Sequence, residues 1–414
     1  MTDTYYPLRS LREGHWFKLI CGASFQHLPA VRNLTLAYTL AGADCIDVAA
    51  DPAVIAAAQE GLKAAATLAD AARDRGYCVE GLPWLMVSLN DGEDPHFRKA
   101  EFNSTECPAD CWRPCESICP ADAIAFDFSQ KGSQNGFSGV IDQRCYGCGR
   151  CIPVCPNNLI YTRSYVSAPE AIAPLVFQSG VDALEIHTQV GRVEDFKRLW
   201  SAIAPWVNQL KLLAISCPDG EAMIDYLRAL YELMAPLPCP LIWQTDGRPM
   251  SGDIGDGTTI AAVKLGQKVL TAGLPGYVQL AGGTNRHTVG KLRTMGLLNS
   301  RQQSEVQKSE VVRASLSGIP EGNQGSKKNP PQQPQTFPAQ SSDIAGIAYG
   351  SYARVLLSPI LDELEKMNMN EVCGNASVSS QTPLPGRLEE KPDLLWQAVG
   401  LAHSLVSQLK AFPQ

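Results

Sequence analysis

Eight of the fourteen cysteines in this 414-residue chain fall between residues 107 and 155, and no other feature limits its fold as tightly. "RCYGCGRCIPVCP" (144–156) spaces Cys145, Cys148, Cys151 and Cys155 as Cys-x2-Cys-x2-Cys-x3-Cys-Pro. That is the run by which bacterial ferredoxins hold [4Fe–4S] cubanes. Three thiolates two residues apart on a tight, Gly-containing loop reach three iron corners of one cluster. The fourth, past a turn and ahead of a proline, points to a second cluster. "ECPADCWRPCESICP" (106–120) ends in the same way, with Cys107, Cys111, Cys115 and Cys119 at three-residue gaps and Pro120 after the last. "CPADAI" (119–124) and "CPNNLI" (155–160) repeat each other, each with an Ile five residues after the Cys. An internal pseudo-twofold follows. It assigns Cys145, Cys148, Cys151 and Cys119 to one [4Fe–4S] cluster and Cys107, Cys111, Cys115 and Cys155 to another.

Zinc sites also use Cys-x2-Cys pairs, but they rarely need eight cysteines in two groups that both end in Cys-Pro. One cluster beside a degraded second site is the other reading. The longer gaps of the first group loosen its loop and change the hydrogen bonds to sulfur, a lever on reduction potential. Arg113, Arg144 and Arg150 lie among the ligands, either as charges that favour a reduced cluster or as solvated surface groups. A radical-SAM triplet, Cys-x3-Cys-x2-Cys, does not occur.

Composition bears on the compartment. Hydrophobic residues make up 45% and charged residues 19%, ordinary for a soluble globular protein. A net charge of −7 without a long basic run leaves no electrostatic footprint for nucleic acid. No basic start with an apolar stretch behind it marks a signal peptide, and no apolar run of about 18 residues marks a membrane span. A cytoplasmic protein is expected, with cysteines as thiols or metal ligands rather than disulfides. Cys21, Cys45, Cys78, Cys217, Cys239 and Cys373 sit mostly in apolar surroundings and read as core packing.

The rest of the chain alternates strand-like and helix-like segments. Short apolar runs at 17–24, 45–51, 83–90, 182–188, 211–218, 240–246, 276–283 and 344–351 read as strands buried on both faces. Helix-forming stretches such as 52–76, 193–207, 221–234 and 258–273 lie between them. Eight βα units predict an α/β fold, a TIM-like (β/α)8 barrel, with an open doubly wound sheet as the alternative. The cysteine block becomes a ferredoxin-like 2[4Fe–4S] domain inserted after the third strand. The expected division is barrel 1–95, insert 96–165, barrel 166–299, disordered linker 300–342, last βα unit 343–369, flexible linker 370–392 and C-terminal helix 393–414. Residues 300–342 are rich in Pro, Gln, Ser and Gly and cannot bury enough surface to order themselves. In the tail, Leu395, Val399, Ala402, Val406 and Leu409 form one helical stripe, which packs on its own core or docks a partner.

Barrels carry their functional groups where the strands end. Those ends here hold Ser24, Asp51, Asn90, His187 and Asp246, and "GDIGDGTT" (252–259) runs straight into a helix. Gly282, Gly283 and Thr284 follow strand seven, and Gly350 and Ser351 follow strand eight, the usual phosphate-binding corner of barrels. They are candidates for a phosphorylated cofactor such as a flavin nucleotide, although glycines also simply turn βα loops. Glu185 and His187 alternate along one strand and so point to one face. No nucleophile elbow, Walker loop or paired catalytic carboxylate accompanies them.

"FKLICGASFQHLPAVRNLTLAYTLAGADCIDVAADPAVIAAA", joined to the eight-cysteine block, resembles the cyanobacterial light-dependent period family of iron–sulfur proteins. The resemblance covers about residues 15–300 and resumes at "IAGIAYGSYARVLL". It implies that the same eight cysteines are cluster ligands, and that the protein tunes the circadian clock to light through cellular redox state. It transfers no barrel residue to a role. The expected function is a redox-sensing regulator, not a classical enzyme, whose partners are redox carriers and clock-associated proteins. The alternative is a flavin-dependent oxidoreductase fed by the insert. Deletion of residues 303–341 is expected to leave soluble expression and iron content unchanged, as measured by gel filtration and iron quantification.

Overall fold

Eight short runs of buried residues, most of them buried along their whole length, form the strands of a closed parallel barrel in a computed structural model of the chain. It describes residues 6–22, 28–92, 98–119, 122–126, 138–141, 145, 151–164, 174, 177–247, 255, 257–298, 343–374 and 386–410. In chain order the strands are β1 (Trp16–Gly22), β2 (Cys45–Ala49), β3 (Trp84–Asn90), β4 (Arg98–Glu101), β5 (Ile124–Phe126), β6 (Ser138–Val140), β7 (Tyr161–Ser164), β8 (Ala183–His187), β9 (Leu212–Pro218), β10 (Leu241–Asp246), β11 (Tyr277–Ala281) and β12 (Ile344–Tyr349). The barrel order is β1-β12-β11-β10-β9-β8-β3-β2, so the TIM-like expectation holds and the open sheet does not. Each of the eight expected runs contains one barrel strand, trimmed or shifted at its ends. β3 pairs directly with β8, from Met86 opposite Ala183 to Asn90 opposite His187, so β4–β7 are an excursion between neighbouring barrel strands.

Alternation along the strands explains the two cores. Phe17, Leu19 and Cys21 point outward into the shell beneath the helices. Trp16, Cys45, Trp84, Met86, Ala183, Leu212, Ile242 and Tyr277 fill the lower lumen. Helix Tyr6–Glu13, which sequence reading missed, contributes Leu8 and Leu11 to that lower core and so covers the N-terminal end of the barrel. Its sequence "YPLRSLRE" is too short for periodicity to identify. Helix Pro52–Asp74 starts where expected, because the Asp51 carboxylate caps Ala53 N–H at 3.0 Å and Pro52 occupies the first turn.

Two expectations about the C-terminal part change. The last βα helix runs Ser351–Gly374, so residues 370–374 of the expected linker are helical. Further on, Leu388 is fully buried and Arg32 makes a two-pronged ion pair with Glu389. Asn33 also bonds Gly386 O and Leu388 N–H. This end of the 370–392 tract is therefore tied to helix Leu28–Leu40, by contacts that no local composition reveals. Residues 301–342 and 375–385 lie outside the described residues. The stripe Leu395, Val399, Ala402, Val406 and Leu409 is buried, and its helix, Pro392–Leu409, packs on Leu28–Leu40. Beyond it Lys410 joins buried Asp44 at 2.6 Å and donates to Tyr6 Oη and Ser10 Oγ, which ties the chain end to the first helix.

Barrel closure depends on Gly346, opposite Trp16 in the β1–β12 pairing. A Cβ there would lie 2.4 Å from Trp16 O and 2.6 Å from Trp16 Cβ. Backbone cannot yield as a flexible side chain does. Gly346→Ala is expected to cost about 1–3 kcal/mol by urea denaturation, with Trp16 fluorescence altered in the folded baseline.

Candidate iron–sulfur site above a polar barrel lumen

The excursion leaves the barrel at the C-terminal end of β3, the face on which barrels place their chemistry. β4 pairs antiparallel with β7, and β5 pairs antiparallel with β6. The strand that opens the first half thus meets the strand that closes the second, and the reverse. This is the twofold relation expected from the sequence repeat. Two four-residue helices, Pro114–Ser117 and Cys151–Val154, pack on each other and carry Cys115 and Cys151. Each is followed by a Cys whose sulfur accepts a backbone N–H four residues later. Ala123 N–H reaches Cys119 Sγ at 3.2 Å, and Leu159 N–H reaches Cys155 Sγ at 3.4 Å. Asp122 and Asn158 take the same left-handed turn, at φ 46° and 52°. Asn and Asp tolerate that region better than most residues.

Four of the thiols act on one another. Cys107 lies beside Cys111, and Cys155 lies within electrostatic reach of Cys107 and Cys115. Those are the four residues that the spacing assigned to one cluster. Burial raises the Cys107 and Cys115 thiols, and neighbouring thiols add to the rise. Burial also raises Cys155, but the N–H groups of Leu159, Asn157, Ile160 and Asn158 outweigh it and bring the thiol below its ordinary value. Hydrogen bonds of that kind favour the thiolate a metal needs. Of the other group, Cys145, Cys151 and Cys119 are described; the Cys145 sulfur accepts Ala100 N–H at 3.4 Å. Cys148 lies outside the described residues, as do Pro120, Arg144 and Arg150. Cys115, Cys145, Cys151 and Cys155 share a small core with Ala100, Ala123, Ile124 and Ile160. Among the described residues no three side chains converge closely enough for a single ion. That spacing is no obstacle to a cubane, whose four thiolates each bind a different iron. All-thiol donors with N–H···S bonds fit an iron–sulfur cluster.

The insert touches the barrel mouth. Lys99 Nζ, on β4, lies 3.7 Å from the Asp51 carboxylate that caps helix Pro52–Asp74. Burial raises Asp51 to about 6, with Lys99 and the capped N–H groups opposing. Asp91, at the root of the insert, is also raised by burial to about 6, against its bonds to Thr188 and Arg192. Among the other mouth residues, Asn90 is buried and bonds Gly92 O, Asp246 ends β10, and Ser24 lies outside the described residues.

Beneath the mouth the lumen is polar, where barrels usually stack Val, Ile and Leu. Lys18, fully buried, pairs with Glu185 and lies 3.0 Å from Asp47. Glu185 also accepts from Gln244 Nε2 at 2.7 Å and contacts His187 Nε2 at 3.0 Å. Gln244 in turn accepts from Gln279 at 2.6 Å, and Gln279 from Trp16 Nε1 at 2.6 Å. Ser88 donates to Asp47 at 2.7 Å. Burial disfavours the Lys18 ammonium, but Asp47 and Glu185 outweigh it and raise the group above its ordinary value. Burial raises Asp47, while Lys18 and His187 pull Glu185 below the usual carboxylate range in spite of its burial. Glu185 therefore carries the firmer negative charge, because it has more donors. Glu185 and His187 share a face as expected. Lys18 and Asp47 were missed, although each is the lone charge in an apolar run, "FKLICG" and "CIDVA".

The five glycine-corner residues come together at the ends of β11 and β12. Gly282 and Gly283 turn at φ 59° and 98°, and Thr284 Oγ1 donates to Ala348 O at 2.6 Å. Thr258 Oγ1 donates to Gly283 O at 2.7 Å, and Ser351 Oγ accepts from Arg354.

A closed barrel with a thiol-rich insert over its mouth defines a barrel protein with an iron–sulfur cluster-binding domain, and comparison with known proteins supports that class. Residues 107–166 match the family described as the LdpA Fe-S cluster-binding domain, and residues 175–408 match the light dependent period A C-terminal domain. The protein named Light dependent period A of Synechococcus elongatus is 45% identical over 405 residues, 98% of this chain and 94% of that one. A crystal structure of fructose-bisphosphate aldolase from Campylobacter jejuni is 8% identical with a TM-score of 0.31, covering 98% of this chain and 90% of that one. The chain belongs to the light dependent period A family. Among the described residues no helix is long and apolar enough to cross a membrane.

Removing Lys18 would leave two buried carboxylates without a cation. Lys18→Met is expected to cost about 3–5 kcal/mol at pH 7. Both carboxylate pKa values would then rise in the folded state, so stability falls as pH rises through them. The deficit against wild type should be smaller at pH 5 than at pH 7, as urea denaturation at the two pH values would measure.

Proposed function

We propose that the protein is an iron–sulfur redox-sensing regulator that relays cellular redox or light state to the circadian clock. In this reading Cys107, Cys111, Cys115 and Cys155 hold one [4Fe–4S] cluster, and Cys119, Cys145, Cys148 and Cys151 hold the second. Such clusters supply one-electron uptake and release. The protein's own part is to hold the sulfurs, to donate N–H groups to them, and to fix the insert against the mouth through Lys99 and Asp51. The observation that carries the reading is the pairing of β4 with β7 and of β5 with β6, which brings the two cysteine-bearing halves together with Cys115 and Cys151 on packed helices. The clock role comes from the family and from the name of the Synechococcus relative. Redox carriers and clock-associated proteins are the partners of this reading, and the cytoplasm its place.

A second reading is favoured by the lumen. Buried ionisable clusters at a barrel mouth are typical of binding and catalytic sites. Lys18, Asp47, Glu185 and His187 could serve a cofactor such as a flavin nucleotide, with Gly282, Gly283, Thr284, Gly350 and Ser351 at its phosphate. Purified protein would then be yellow and would release flavin on denaturation.

Anaerobic purification with iron, sulfide and flavin quantification tests both readings. About eight irons per chain, no flavin and interacting cubane EPR signals on reduction are expected. Cys151→Ser should remove about one cluster's iron; unchanged iron would sink the ligand assignment.

A further inference from the structure

The thiols of the insert are unevenly exposed. Cys107 and Cys111 are partly exposed, whereas Cys145 and Cys151 are only 8% and 6% exposed. Cys145 also takes its N–H from Ala100, next to the Lys99 that reaches the barrel at Asp51. Cys115 and Cys155 are buried, at 5% and 9% exposed, so the open edge of their group is at Cys107 and Cys111. Beside Cys111 stands Trp112, 76% exposed, with Ile118 at 38% on the same loop. An indole open to water over most of its surface, next to a cluster ligand, is costly to leave uncovered. Arg113, which follows it, has a left-handed backbone at φ 57°, and its guanidinium lies 4.5 Å from the Phe126 ring centre.

The charges around this aromatic specify the partner. Glu106 and Asp110 are exposed, Glu116 is half-buried, and none of the three forms an ion pair with a described residue. Glu106 accepts only a neutral bond, from Asn103 at 2.9 Å. The acidic groups further back are occupied differently, Glu101 by Arg163 and Asp51 by Lys99. An exposed Trp on a stretch of chain whose acidic groups are not paired with described residues is a composition suited to transient protein docking.

We propose that Trp112, with Ile118 and the rim of Glu106, Asp110 and Glu116, is the docking surface for a soluble one-electron carrier protein with a basic rim around its redox centre. The proposal rests on the two-cluster reading above. Cys107, Cys111, Cys115 and Cys155 would hold the electron donor beside this surface; the carrier would gain the one electron that the donor loses, and no proton or group moves.

A basic c-type cytochrome serves as the probe carrier and uncharged 1,4-benzoquinone as the small oxidant, each mixed by stopped flow with the reduced full-length protein. Trp112→Ala should lower the second-order rate with ferric cytochrome about tenfold, leaving the quinone rate, the iron content and the EPR signals unchanged. In the triple variant Glu106→Gln, Asp110→Asn, Glu116→Gln, the fall of the cytochrome rate with added salt should flatten. A cytochrome rate unaffected by Trp112→Ala, or a quinone rate that falls in parallel, would overturn the proposal. So would dimerisation of the wild type that Trp112→Ala abolishes, which would make a second copy the occupant. Wild-type protein without iron would remove the cluster reading itself, whereas loaded clusters with an unchanged cytochrome rate would remove only the docking surface.

Discussion

The pairing of β4 with β7 is the constraint on which the architecture depends. β3 and β8 must lie side by side for the barrel to close, so whatever is inserted between them has to start from one place and come back. Four antiparallel residue pairs, from Arg98 opposite Ser164 to Glu101 opposite Tyr161, bring the ends of the cysteine block together. Once the ends are joined, the length between them costs little, since loop entropy grows only by about 0.6 kcal/mol per doubling. The same pairing is one half of the insert's twofold relation, with β5 and β6 as the other. One set of hydrogen bonds thus protects the barrel, orients the cysteine turns and places Ala100 N–H against Cys145.

A second constraint runs through the lumen. Burying Lys18 between Asp47 and Glu185 is expensive, and an apolar filling of similar volume would commonly be as stable or more so. The chain meets the cost with bonds to every charged group, through Gln244, Ser88 and His187 and on through Gln279 to Trp16. The result is a rigid polar column from the floor of the barrel to its mouth, directly below the insert.

Much of this was legible in the chain because its signals are local. Each barrel strand is a short apolar run, and the helix at Pro52 announces itself with Asp-Pro. The repeat of the cysteine groups announces the two halves that the structure pairs through β4 with β7 and β5 with β6. Arg32 and Glu389, by contrast, are 357 residues apart, and Lys410 and Asp44 are 366 apart. Neither pair has a sequence signature, so the anchoring of Leu388 and the tie between the chain's two ends could not be read in advance. Helix Tyr6–Glu13 was missed for a related reason, because eight residues carry too little periodicity until a barrel end exists for them to cover.

The sequence by itself determined the number of strands, the position of the insert, the twofold relation of its halves and the ligand types it offers. All of these follow from period, spacing and repeat, which need no partner elsewhere in the chain. Only the tertiary structure decided that the sheet closes, because closure requires β12 to find β1 across more than three hundred residues, with Gly346 leaving room for Trp16. It alone turned Lys18, Asp47, Glu185 and His187 from isolated charges on separate strands into one network, and put Trp112 rather than Cys145 at the surface. Electrostatic energy and burial depend on distance in space, and a linear chain does not specify that until it folds.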